Sequence, residues 1–189
     1  MPKKVFFCIA NQDMNDLRIN VVRSHKITHD NHGGYFPPYL WEAATKSGDD
    51  SIRKLIDVQI QQSCVSAVLI GTNTYNQRWV KYEIFRSMKK GNKLLGIHIN
   101  SIEGRDGRGK PLGPNPFSYL GFSYSPDGKE FIPHEYVDEN WVPFKDMPVY
   151  KVREVPEQHR NKIFTLTKIA KTYDWMADKG QVNFPQWIE

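Results

Sequence analysis

Two cysteines in 189 residues, Cys8 and Cys64, are too few for a disulfide framework and are not spaced as a C-x-x-C metal pair. Both sit in or beside apolar segments and read as reduced, small hydrophobes. Long apolar runs are lacking too: nothing approaches the roughly 18 residues that suggest a transmembrane helix. After Lys3-Lys4 only Val5 to Ala10 is apolar before Asn11-Gln12-Asp13, too short for a secretory h-region. The expectation is a cytoplasmic protein with no membrane partner. Basic runs are also scarce. The net charge of +5 comes from scattered residues with no groove-reading motif beside them, so nucleic acid is not expected as a partner.

Phosphate-cradling glycine motifs are missing: there is no G-x-x-x-x-G-K-[ST], and no G-x-G-x-x-G follows a strand. Gly104-Arg105-Asp106-Gly107-Arg108-Gly109 has the wrong order and reads as a connector. No G-x-S-x-G elbow marks a nucleophilic serine. His25, His29 and His32 share a helical spacing that would suit zinc, with Asp30 nearby, yet no fourth ligand is evident, and no metal or cofactor is expected. His98, inside a strand-like segment, reads as a hydrogen-bonded core residue.

What is present is the composition of a soluble globular chain, 39% hydrophobic and 25% charged, at a length that fits one domain. The first hundred residues alternate strand and helix signals, which implies a parallel sheet covered on both faces. Val5 to Ile9 reads as a buried strand. Asp13 is placed to cap a helix with Met14, Leu17, Val21 and Val22 inward. Residues 25 to 38 form a loop rich in Gly, Pro and His, and Tyr39 to Glu42 is a candidate short strand. Asp49-Asp50-Ser51 opens a helix with Ile52, Leu55, Ile56 and Ile60 on one stripe. Val65 to Ile70 is a strand, residues 79 to 90 a helix stopped by Gly91-Asn92, and Leu94 to Ile99 a further strand.

Glycines and prolines from Gly104 to Pro116 then mark an irregular insertion. Phe122-Ser123-Tyr124 and Phe131 to Tyr136 flank a Ser125-Pro126-Asp127-Gly128 turn and read as a β-hairpin. Val137 to Phe144, with a turn at Asp138-Glu139-Asn140, adds another strand. Ile163, Leu166, Ala170, Tyr173 and Ala177 suggest a last helix over about 161 to 177.

The run Trp79-Val80-Lys81-Tyr82-Glu83 lies between two predicted strands. On a helix there, Trp79 and Glu83 fall one turn apart on a single face, beside the strand tips where open α/β sheets bind ligands. A carboxylate near an aromatic plane suits a cationic, ring-bearing substrate. Taken alone, a glutamate in the first turn of a helix is usually a solvated dipole partner.

The ordered set Lys4-Val5-Phe6-Phe7, Ala67-Val68-Leu69-Ile70-Gly71, Trp79 to Ile84, Gly91-Asn92-Lys93 and Gly96-Ile97 resembles a TIR domain. Gly113-Pro114-Asn115-Pro116-Phe117, Tyr119-Leu120-Gly121 and Tyr173-Asp174-Trp175 are similar to TIR proteins of bacterial Thoeris anti-phage systems. The resemblance implies a flavodoxin-like α/β fold, a parallel central sheet flanked by helices, with a C-terminal β-hairpin insertion and a terminal helix. It implies one domain over 1–189, with a core at 3–100 and the insertion and helix at 101–189. It implies an enzyme that cleaves NAD at the nicotinamide–ribose bond and makes a cyclic ADP-ribose isomer, a messenger for a partner effector. Glu83 would be catalytic, with Ile9, Ala10, Asn11, Tyr35, Phe36, Thr72, Asn73 and Trp79 binding the substrate. A phage-derived trigger and a homo-oligomer belong to the same picture. Residues 25 to 38 depart from the compact pattern of receptor TIR domains; in many TIR enzymes this loop of one subunit helps complete a neighbour's site, a role that the departure does not support here. The alternatives are a non-catalytic TIR adaptor acting by assembly, and a nucleoside ribosyl transferase or hydrolase.

Overall fold

The computed structural model describes residues 4–29 and 38–189. Strand β1 (Val5–Ile9) is buried along its whole length. It leads through a 3-10 turn at Asn11–Asp13 into α1 (Leu17–Arg23), followed by the single turn α2 (Lys26–His29). The cap of α1 is Asp16, whose Oδ1 accepts from the Arg18 N–H at 3.0 Å. Asp13, the expected cap, belongs instead to the preceding turn. The later start rotates the helix: Ile19 and Val22 are buried, while Leu17 and Val21 are each 38% exposed. Arg18 turns inward with them because its guanidinium holds the later insertion, donating to the carbonyls of Ile102 (2.8 Å) and Arg108 (2.9 Å).

The expected strand at Tyr39 to Glu42 is a helix, α3 (Pro38–Ser47). Pro38 sits at the first helical position, where its missing N–H costs nothing, and Trp41 and Ala44 share the buried face. Next come α4 (Asp49–Gln61), buried through Ile52, Ile56 and Ile60, and β2 (Val65–Ile70), buried throughout. Helix α5 (Arg78–Lys90) stops at Gly91, whose φ of 87° is the left-handed conformation that glycine adopts without penalty. Strand β3 (Lys93–His98) follows directly.

The second half forms a five-stranded antiparallel sheet: β4 (Leu120–Tyr124), β5 (Glu130–Val137), β6 (Asn140–Pro143), β7 (Tyr150–Lys151) and β8 (Phe164–Thr165). The predicted hairpin is β4 against β5, and Asp138 and Glu139, both at positive φ, make the tight turn into β6. The helix expected over 161 to 177 is absent. That stretch holds β8, a 3-10 turn and β9 (Lys171–Asp174), which pairs in parallel with β3. Its Thr172 methyl packs where Gly96 of β3 leaves room. The terminal helix, α6 (Gly180–Trp187), lies further on.

The parallel sheet thus runs β1-β2-β3-β9. Side-chain alternation assigns its faces. Ser66 of β2 hydrogen-bonds Ser87 of α5 at 2.7 Å, so its register partner Phe6, and with it Cys8, face α5. Phe7 points the other way and stacks on Phe184 of α6 (6.4 Å between ring centroids). On the α5 side, α4 packs against α5 and α3 against α4. The antiparallel sheet is fastened to α5 by the Lys81–Glu135 ion pair (2.9 Å) and by Phe85 against Phe144.

Candidate functional site

The C-terminal tips of β1 and β2 lie side by side, with Ile9 opposite Leu69. Ile9 and Ala10 are buried there, and Asn11, Thr72 and Asn73 are exposed around the rim. The structure therefore gathers five of the predicted binding residues at one end of the sheet. Thr72 is already engaged, its hydroxyl accepting from Asn100 Nδ2 at 3.0 Å, while the same Nδ2 donates to the Pro111 carbonyl at 2.7 Å. Thr74 closes the turn below, its Oγ1 accepting from the Gly71 N–H at 2.8 Å. Tyr35 and Phe36 lie outside the described residues.

Glu83 projects from the first half of α5 toward β1. It is 3% exposed, and its Oε2 is buried without a hydrogen-bond partner among the described residues. Burial pushes its carboxyl well above the usual carboxylate range, an effect opposed in part by the Cys8 thiol on the facing strand. Cys8 is itself wholly buried, and burial together with the facing Glu83 pushes its thiol up. An empty acceptor of this kind is costly in a protein interior unless a ligand meets it.

Trp79 stands one turn before Glu83 but is differently occupied. Its ring meets Trp41 and Tyr82 edge-on, at 6.4 and 5.8 Å, and the Arg78 guanidinium covers it at 4.6 Å. Arg53 approaches at 6.0 Å. The indole serves as a joint between α3, α4 and α5, with cationic neighbours at its face.

Asp13 was missed as a member of this end of the sheet. Its Oδ2 is buried without a partner among the described residues, 2.6 Å from where a Cβ on Gly71 would stand. Burial raises its carboxyl above the ordinary value, with Asp16 adding to the effect and Lys110 opposing it. The available signal was its position directly after a strand, which the capping expectation obscured. Cys8 was missed because a lone apolar-segment cysteine usually only packs.

The histidines do other work. His25 accepts from the Ile27 N–H through Nδ1 (3.2 Å), so Nε2 carries the proton it gives to the Gln181 carbonyl (3.0 Å). The side chain of His29, and all of His32, lie outside the described residues. Among the described residues no cluster of three or more His, Cys, Asp or Glu could hold a metal ion. His98 is half-buried, and its Nδ1 lacks a partner among the described residues rather than being hydrogen-bonded; burial holds its pKa down. No helix among the described residues is long and apolar enough to cross a membrane.

A parallel sheet flanked by helices, with a buried glutamate on the helix after β2 and open strand tips above it, defines a TIR-like α/β domain. The family model for the Thoeris protein ThsB, TIR-like domain, matches residues 9–103. A protein of Bacillus cereus (strain MSX-D12) that carries the name cyclic ADP-D-ribose synthase ThsB1 is 44% identical over 191 residues, covering 100% of both chains. The chain belongs to the Thoeris ThsB TIR-like family.

Proposed function

We propose that the protein breaks the nicotinamide–ribose bond of NAD and closes the remaining ADP-ribose into a cyclic isomer. The observation that carries this reading is the unpartnered Oε2 of buried Glu83. The full-length similarity to a protein named as a cyclic ADP-D-ribose synthase supports the same chemistry.

One carboxyl group suffices for such a reaction. Glycosidases ordinarily need a second to protonate a poor leaving group. Here the pyridinium nitrogen takes the electron pair of the breaking C–N bond and leaves as neutral nicotinamide. Glu83 would accept from the ribose hydroxyls and stabilise positive charge at the anomeric carbon. Burial disfavours the ionised carboxyl, and the cationic ring would offset that penalty as it enters, the proton passing to water, because a nearby positive charge favours the carboxylate. A nucleophile from the adenosine half then attacks the anomeric carbon and loses its proton where it has one. Water attacking instead gives linear ADP-ribose, so cyclisation requires a site closed to solvent.

Ile9, Ala10, Asn11, Thr72 and Asn73 would enclose the substrate at the strand tips. Trp79, faced by Arg78, would act chiefly by fixing α5, leaving Tyr35 and Phe36 as candidates to stack on the pyridinium. The cyclic product would act as a diffusible signal to an effector protein after a phage-derived trigger, in the cytoplasm, with assembly into a homo-oligomer a further element of the reading. The test is chromatography of products from protein recovered from phage-infected cells and supplied with NAD or with simple nucleosides. Nicotinamide released from NAD, and abolished by Glu83→Gln, is expected. Release that survives in that variant, or cleavage of nucleosides alone, overturns the proposal.

A further inference from the structure

We propose that Lys110 is a substrate-binding residue that receives the diphosphate of the dinucleotide, exchanging its Asp16 partner for a phosphate oxygen as the substrate crosses the strand tips. The inference deepens the NAD-cleaving reading and rests on it for the identity of the ligand, although the phosphate contact can be tested without any turnover.

The insertion carries Lys110 to the tips. Its N–H donates to the Asn100 carbonyl at 2.7 Å, just past β3, and the Asn100 side chain joins Thr72 beyond β2 to the Pro111 carbonyl. Gly113 of the same segment lies against the Gly71 carbonyl. The ammonium group then reaches the connection between β1 and α1, where Nζ donates to Asp16 Oδ2 at 3.0 Å. That connection lies across the sheet from Glu83. Helix α1 runs on to His25, whose ring meets Phe184 of α6 edge-on at 5.5 Å, and α6 covers the face opposite α5. A ligand held by Glu83 on one side and by Lys110 on the other would cross the carboxyl ends of the strands, where open α/β sheets bind. In NAD the diphosphate follows the nicotinamide ribose directly, so the order of its groups matches the order of the two residues.

Lys110 is able to change partners, which the neighbouring cations are not. Arg18 is buried and committed to the Ile102 and Arg108 carbonyls and to both oxygens of Asp16. Across the sheet Lys81 takes Glu135, and Arg78 takes Asp146 and Asp49. The Lys110 side chain is 48% exposed, and a lysine so open to water holds a single carboxylate weakly. Because Arg18 stays on Asp16, withdrawal of Lys110 leaves no carboxylate unpaired there. A phosphate oxygen is a strong, charge-assisted acceptor in exchange. Lysine suits the task as a point charge on a flexible stem. Arg105 and Arg108, exposed on the same segment, add attraction at longer range.

ADP-ribose, which carries the diphosphate but has no nicotinamide to lose, is the probe. Isothermal titration calorimetry should show Lys110→Ala binding it about tenfold more weakly than the unmodified protein, with Lys110→Arg close to native. Asp16→Asn separates this role from simple fastening of the insertion, because asparagine still caps α1 while the ion pair is lost. That variant should bind ADP-ribose at least as tightly as the unmodified protein. Native affinity in Lys110→Ala, or equal weakening in Asp16→Asn, overturns the proposal. The kinetic arm uses protein from infected cells. Lys110→Ala should raise KM for NAD by about tenfold and leave kcat near its native value. A fall in kcat at unchanged KM contradicts the phosphate contact. An unmodified protein that binds ADP-ribose through Lys110 yet leaves NAD intact contradicts the parent reading alone.

Discussion

Gly113 of the insertion lies directly over Gly71 at the tip of β2, so close that a Cβ on Gly113 would fall on the Gly71 carbonyl oxygen. Gly71 is confined from its other side by the Asp13 carboxylate. Two glycines and an acid therefore interlock, and the insertion becomes part of the wall around the strand tips rather than a free connector.

Gly113→Ala must push backbone against backbone, and overpacking of this kind costs about 1–3 kcal/mol. Chemical denaturation should show a lower midpoint with an unchanged slope. A native midpoint would mean that the insertion can shift without cost.

Asn100 is 2% exposed, and its Nδ2 joins Thr72 to Pro111. Asn100→Ala leaves two acceptors without that donor and should cost about 1–3 kcal/mol. Amide exchange at residues 72 to 74 and 109 to 113 should quicken together. Exchange confined to one of the two segments would deny that Asn100 couples them.

Burial of Glu83 has a signed consequence for stability. Its folded pKa lies above the unfolded value, so the native state binds the extra proton. The benefit is present below the ordinary glutamate value of 4.5 and is lost as pH rises through the folded pKa. Glu83→Gln, which keeps the shape without the charge, should therefore melt at a higher temperature than the native protein near neutral pH. The gap should close in acid, and a gap independent of pH would contradict the account.

Asp146 behaves in the opposite sense. Arg78 first, then Arg53, hold its carboxyl below the usual range, and the pairing ties the second half of the chain to α4 and α5. Its contribution is present above 3.8 and is lost as pH falls through the lower folded pKa. Asp146→Asn should cost about 1 kcal/mol at neutral pH, since Arg78 is 46% exposed, and less at pH 3. Equal loss at both pH values, measured by thermal melting, would remove the ion pairs from the explanation.

The sequence was most legible where an element's own pattern decides its form. The continuous apolar run of Val65 to Ile70, the Ile52, Ile56 and Ile60 stripe and the glycine stop at Gly91 each carry local physics, and each element stands where expected. The turn chemistry of Asp127-Gly128 likewise located the hairpin. Two failures came from partners far along the chain. Lys171–Asp174 became a strand because β3 offered an edge, a pairing that no local window reveals. Tyr39 to Glu42 carried strand-like residues, yet Pro38 and Ala43-Ala44 favoured a helix that buries Trp41 against Trp79. At the site, the helical spacing placed Glu83 but could not show that Trp79 would be covered by Arg78, or that Cys8 would face the carboxylate. Those contacts depend on which sheet face α5 occupies.

The central claim is that Glu83 carries out the chemistry of a nucleotide signal. Mass spectrometry of small molecules from phage-infected cells carrying the protein or its Glu83→Gln variant tests it most directly. The account predicts a fall in NAD and the appearance of nicotinamide with a cyclic ADP-ribose isomer in the first, and neither change in the second. Identical nucleotide profiles in the two would contradict it.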